Sequence, residues 1–125
     1  MQAFVNPFIN KDLEMEITQK EENGILSFTI IGRLDADSSP EAEKVVHDAL
    51  EGQTTRVLFD LASLEYLSSA GLRVLLSTAK EMRRRDGKFV LCSLNEFVKE
   101  LFDVSGFQSL IPIADSVESG IEMLS

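Results

Sequence analysis

Tryptophan is absent from the 125 residues, and cysteine and histidine occur once each. A single thiol, Cys92, cannot close an intrachain disulfide, so covalent staples are excluded and a reducing, cytoplasmic setting is expected. It sits in the apolar run Phe89-Val90-Leu91-Cys92, where a small buried hydrophobe is the simplest role. With His47 as the other soft ligand and no clustered spacing, no zinc or iron site is expected. No apolar run approaches the roughly 18 residues of a membrane-spanning helix. The N-terminus also lacks a basic region leading into an apolar one, so a soluble protein without membrane insertion is expected. Basic residues are scarce too. Twelve Lys and Arg against 21 Asp and Glu give a net charge of -9, which repels phosphate backbones and disfavours direct nucleic-acid binding.

What is present is ordinary globular material, 44% hydrophobic and 26% charged, in a length that suits one packed domain. Residues 1–12 carry Phe4, Val5, Phe8 and Ile9 around Asn6-Pro7 without a sustained period and read as a tail, leaving residues 13–125 as the domain. Leu13, Met15 and Ile17 alternate with polar residues as a half-buried strand, and Asn23-Gly24 supplies a hairpin turn. A second strand over Ile25 to Ile31 ends at Gly32. A loop with Asp35 and Asp37 then leads to Ser38-Ser39-Pro40-Glu41, where either serine suits the cap of a helix that runs to about Leu50 with Ala42, Val45, Val46, Ala49 and Leu50 inward. His47 falls off that stripe and reads as solvated.

The most informative stretch runs from Arg56 to Arg85. Val57, Leu58, Phe59 and Leu61 read as a strand buried on both faces. After a polar turn, Leu72, Leu75, Leu76, Ala79 and Met82 recur at helical spacing, with Arg83-Arg84-Arg85 complementing the dipole of the last turn. Lys88 to Cys92 is a further strand, and Ser93 with Glu96 matches a capping box for a helix carrying Phe97, Leu101 and Phe102. A short strand over Leu110 to Ile113 and a helix opened by Asp115, with Val117, Ile121 and Leu124, complete the chain. The order implies an α/β fold. It is a mixed sheet of about five strands, an N-terminal hairpin followed by alternating strand and helix, covered by about four helices.

In such sheets functional groups gather beyond the carboxyl ends of parallel strands. Three loops deliver Asp35 and Asp37, Ser68 and Ser69, and Ser93 and Asn95 to that edge. Nucleophilic catalysis by a serine needs a general base, and His47 is predicted mid-helix on the wrong side, so no catalytic residue and no enzyme activity are expected. Ser68-Ser69-Ala70-Gly71 lacks the flanking glycines of a nucleophile elbow. Gly71 stands alone, without a Gly-rich phosphate loop or a Walker lysine, so no cofactor is expected. Two acids in one loop are ordinary turn residues, and no metal role is assigned to Asp35 and Asp37. The two hydroxyls at a helix start are suited to capping the helix or to receiving a phosphoryl group, whose charge the dipole tolerates.

The pattern Val57-Leu58-Phe59-Asp60-Leu61, Leu64-Glu65-Tyr66-Leu67, Ser68-Ser69-Ala70-Gly71-Leu72 resembles the signature of STAS domains of the bacterial anti-sigma factor antagonist type. Gly32-Arg33-Leu34-Asp35 and Leu101-Phe102-Asp103-Val104-Ser105-Gly106-Phe107 resemble two further family segments. The resemblance implies a partner switch. The unphosphorylated chain would bind an anti-sigma factor that is a serine kinase of the histidine-kinase-like ATPase type, and a PP2C-type phosphatase would reverse its phosphorylation. Ser69 matches the family's acceptor serine and Ser68 stands in the place of its usual aspartate, offering a second acceptor. Asp35, Ser68, Ser69, Ala70, Gly71 and Arg73 are the implied partner-binding residues. The fold also serves elsewhere as an unphosphorylated interaction module in lipid-transport or sensory complexes, which is the alternative expectation.

Overall fold

The computed structural model describes residues 4–5 and 8–125, with side chains from Phe8 onward. Its strands are β1 (Phe4–Val5), β2 (Phe8–Asn10), β3 (Met15–Glu22), β4 (Ile25–Leu34), β5 (Arg56–Asp60), β6 (Leu64–Leu67), β7 (Lys88–Cys92) and β8 (Ile113–Ala114). The helices are α1 (Ser39–Ala49), α2 (Ser69–Arg84), α3 (Glu96–Ser105) and α4 (Val117–Leu124). All eight strands join one mixed sheet, whose main path runs β1-β3-β4-β5-β7-β8, with β2 on β3 and β6 on β4. The α/β architecture and four helices agree with expectation, while the strand count exceeds five.

The hairpin forms as Asn23-Gly24 predicts: both residues take positive φ, 55° and 79°, which matches the twist of the paired strands. The surplus strands come from two places. Part of the segment expected as a tail pairs antiparallel with β3, placing Phe4 opposite Glu21 and Phe8 opposite Ile17. Asn6-Pro7 between them, like residues 1–3, lies outside the described residues. β6 is the other addition. It lies in what reads as a turn, and it pairs in parallel with the last residues of β4, beyond where β5 pairs.

Gly32 does not end β4. The strand continues to Leu34 through a register shift between Gly32 and Arg33. Gly32 adopts φ 96°, and a side chain there would collide with the Glu14 carbonyl, so only glycine allows this close crossing. The kink carries the strand's end toward the serine loop.

Alternation along the strands divides the interior in two. Leu26, Phe28 and Ile30 of β4 join Phe59, Leu91, Ala42, Val46, Leu75, Met82 and Phe102 in the larger core, beneath α1, α2 and α3. Phe28, Phe59 and Phe89 meet edge to face across three neighbouring strands, with centroids 5.2 and 4.8 Å apart. On the opposite face Ile25, Leu58, Val90, Cys92, Ala114 and Leu124 form a smaller cluster under α4.

Three helix starts depart from expectation. Neither Ser38 nor Ser39 caps α1 through its side chain. Ser93 takes φ 64°, and the cap of α3 is Asn95, whose Oδ1 accepts the Val98 N–H at 2.8 Å. Starting two residues later rotates the helix, so Val98 and Phe102 are buried and Phe97 is 53% exposed. Ser116, rather than Asp115, caps α4 in a reciprocal box with Ser119, and Ile121 faces outward, 40% exposed.

Candidate functional site

β4 and β6 finish side by side, and the serine loop hangs from their ends. The carbonyl of Leu34 accepts the Ser68 N–H at 3.0 Å and the Ser68 hydroxyl at 3.3 Å. Ser68 is extended, and its Oγ accepts the Gly71 N–H at 3.2 Å, making it the N-cap of α2. Both functions of the Ser68 hydroxyl are thus occupied by backbone groups. Ser69 follows as the first residue of the helix, exposed, and its hydroxyl makes no hydrogen bond among the described residues.

Gly71 lets this corner close. A Cβ there would lie 2.5 Å from the Leu34 carbonyl oxygen and 2.7 Å from a Leu67 methyl, so the first turn of α2 can seat directly on the strand ends. Ala70 is half-buried, whereas Arg73, one turn along from Ser69, is exposed.

Asp35, next to Leu34, is half-buried and turns its carboxylate into its own loop. Oδ1 accepts the N–H groups of Asp37 and Ser38 at 3.0 Å each, and Oδ2 lies 3.5 Å from the Arg33 guanidinium. The Ser38 N–H foremost holds the Asp35 carboxyl below its ordinary pKa; burial opposes it, and the Asp37 N–H, the Ser38 hydroxyl and Arg33 add to the lowering. Ser38 itself is buried, donating to the Arg33 carbonyl at 2.7 Å and accepting from the Asp35 N–H at 2.9 Å. Asp35 therefore shapes the loop that borders the serine corner.

A shallow groove of about 510 Å³ adjoins Ser69, lined by Ala36, Tyr66, Ala70, Leu72, Phe97 and Leu101 together with Leu67 and Ser68. Two of its lining residues are stacked rings, Tyr66 on Phe97 at 6.5 Å and 20°, and the Arg33 guanidinium, outside the lining, lies 4.3 Å from the Tyr66 ring centroid. Asn95 ties β6 to α3, donating to the Leu64 carbonyl at 2.7 Å while capping α3. Arg33, Tyr66, Phe97 and Leu101 were not foreseen as site residues. Recognising Leu64–Leu67 as a strand, with Tyr66 on the face opposite Glu65, would have signalled the aromatic member.

His47 is exposed on α1 and borders a separate groove between α1 and α2, with Glu43 and Arg84. It is absent from the serine groove, so the hydroxyl of Ser69 has no histidine base among the groove residues. His47 and Asp48 at the end of α1 and Glu51 just beyond it place ligand atoms within 4.8 Å of one another, all exposed to solvent. Among the described residues no helix is long and apolar enough to cross a membrane.

The sequence profile of the STAS domain matches residues 16–120. The chain belongs to the STAS domain family. Relatives of this STAS domain include BtrV of Bordetella bronchiseptica, provisionally named an anti-sigma factor antagonist. It is 37% identical over 84% of this chain and 90% of its own. The anti-sigma-B factor antagonist of Bacillus subtilis is 29% identical over 88% of this chain and all of its own, 100%. Among solved structures, the antagonist SpoIIAA superposes in its unphosphorylated form with a TM-score of 0.74 at 17% identity, covering 86% of this chain and 94% of that one. The phosphorylated form of SpoIIAA, from Bacillus, gives 0.69 at 16% identity, covering 87% and 99%. At that identity the likeness concerns the STAS fold alone.

Proposed function

We infer that this STAS domain is an anti-sigma factor antagonist. It binds an anti-sigma factor that is a serine kinase of the histidine-kinase-like ATPase type, and so frees the sigma factor for transcription. Reversible phosphorylation of Ser69 switches the binding off, and a PP2C-type phosphatase restores it. The observation that carries this reading is the division of labour between the two serines. Ser68 has its hydroxyl engaged by Leu34 and Gly71, while Ser69 stands exposed with its own hydroxyl free among the described residues.

A phosphate on Ser69 adds about 1.5 to 2 negative charges at the start of α2, where the helix dipole tolerates them. The same group stands beside an apolar groove. A partner whose surface covers Tyr66 and Phe97 must then desolvate the phosphate or move away, and both weaken the complex. Serine is the substrate of a foreign active site, which agrees with the lack of a base in the groove.

Incubation with the kinase-type anti-sigma factor and ATP, followed by intact mass and peptide mapping, is expected to give one added phosphate on Ser69 that Ser69→Ala abolishes. Ser69→Asp is expected to weaken anti-sigma binding by roughly ten- to a hundredfold in a titration. Phosphate mapped to Ser68, or undiminished affinity of Ser69→Asp, would refute the assignment.

A further inference from the structure

We propose that the outward face of α3 is a second half of the partner interface, built to receive a partner segment whose apolar ridge is flanked by lysine or arginine. The proposal rests on the antagonist reading above and adds the chemistry of what binds. It starts from the helix's own arithmetic. Val98 and Phe102 point into the core. Phe97, Leu101 and Val104, at spacings of four and three, form a different stripe that begins in the serine groove and runs out of it, with Leu101 half-buried against the larger core. Phe97 is 53% and Val104 82% exposed, so the stripe ends in open solvent.

Nothing in the fold requires Val104 there. Solvent-facing helix positions cost least when polar, and a continuous apolar row leading away from a groove marks a surface that another molecule covers. The stacking of Phe97 on Tyr66 makes it continuous with the wall beside Ser69.

Charge selects the occupant. Glu96, Glu100 and Asp103, also four and three apart, form an exposed acidic stripe alongside the apolar one, on its side away from the core. They make no ion pair among the described residues. Lys99, the only cation of α3, lies on the far side of the acids from the apolar stripe. Apolar and acidic stripes side by side complement an amphipathic segment with a basic flank. A second copy would bring the same acids face to face in a two-fold contact, within a chain already at -9, and an anionic lipid surface would be repelled.

The test measures binding of the cognate kinase-type anti-sigma factor to wild type, Ser69→Asp, Phe97→Ala, Val104→Ser and the triple variant Glu96→Gln/Glu100→Gln/Asp103→Asn. Circular dichroism checks that each folds, and Val104→Ser, at a position in open solvent, supplies the variant least able to disturb the core. Phe97→Ala is expected to lose at least about tenfold in affinity and Val104→Ser several-fold. The triple variant should slow association and flatten its salt dependence. If Ser69→Asp abolishes binding while every α3 variant binds as wild type, the antagonist reading stands and this proposal falls.

If the wild-type chain binds no such anti-sigma factor, the antagonist reading fails, and a partner-free arm decides the matter. Two synthetic helices of about 20 residues, a leucine ridge flanked by lysines and its glutamate-flanked counterpart, are titrated into isotopically labelled protein. Resonance shifts confined to α3 and the serine groove with the lysine peptide alone support the proposal. Equal response to both peptides, shifts elsewhere, or a dimer in sedimentation that Val104→Ser dissociates would overturn it.

Discussion

Ser68 and Ser69 are chemically the same side chain with different fates one residue apart. The first is spent on structure. Replacing Ser68 by alanine removes the cap on α2, and urea unfolding should show a loss of about 1 kcal/mol. With the switch proposed above, peptide mapping of that variant after kinase treatment should still find phosphate on Ser69, whose hydroxyl does not depend on the cap's. Cys92 shows the same principle in reverse. It is buried against Ala114 and Leu124 in the smaller core, and burial above all raises its thiol pKa to about 11, with Asp60 and Glu118 adding to the rise and a Ser93 hydrogen bond opposing it. A thiol-reactive dye at pH 8 should leave the folded protein unlabelled and react fully in denaturant. Fast labelling of folded protein would contradict the burial of Cys92. At this scale the sequence left capping and phosphate acceptance open to both serines, and the fold gives the cap to Ser68. The sequence was silent on Arg33 and Tyr66, whose pairing depends on two strands meeting.

Helix α2 shows how an element turns position into function. Its start is fixed by Ser68 and Gly71, and Gly71→Ala should cost about 1–3 kcal/mol because the added methyl has no space between Leu34 and Leu67. A folded variant should also be phosphorylated more slowly, since seating the methyl shifts the first turn. At the other end Arg85 reaches across to the carbonyls of Leu50, Gly52 and Thr54, where α1 runs into β5. Glu81 holds that arm at 2.6 Å and pairs with Arg84 as well. Hydrogen bonds from Arg84 and then Arg85 depress the Glu81 carboxyl from 4.5 to about 2. Because the folded pKa is the lower one, the contribution to stability is complete above pH 4.5 and is lost as pH falls through about 2. Denaturation midpoints measured between those limits should fall less steeply in Glu81→Gln than in wild type. The arginine run was expected to serve the dipole of its own helix; one of its members instead ties two helices together. Long-range contacts of that sort leave no local period. The phase of α3 was missed for a local reason, since Ser93 and Glu96 imitate a capping box that the left-handed backbone of Ser93 forecloses.

At the scale of the molecule, the order of elements was legible because strands with apolar runs and helices with a stripe alternate from Ile25 onward. The edge was not. Short strands such as β2 carry too few residues for alternation to stand out, and pairing with β3 supplies what pattern cannot. Removing residues 1–12 deletes both strands that pair with the outer edge of β3 and strips Phe8 from the larger core. The expected result is a loss of roughly 1–2 kcal/mol, from the partly buried phenylalanine alone, and increased self-association through the bared edge. Denaturation and light scattering on the truncated chain check both. Unchanged stability would mean that this pairing contributes nothing in solution.

The carbonyl of Leu34 receives both hydrogen-bond donors of Ser68, so the serine corner is fastened to the main chain of a neighbouring strand. Scaffold and address are thereby separable. If the face of α3 is recognised as proposed, exchanging Phe97, Glu100 or Val104 rewrites who is recognised without loosening the post that presents Ser69. With the proposed switch, a cell running several such circuits in parallel could then insulate them from one another by changing these outward letters alone, while every copy keeps the same serine corner.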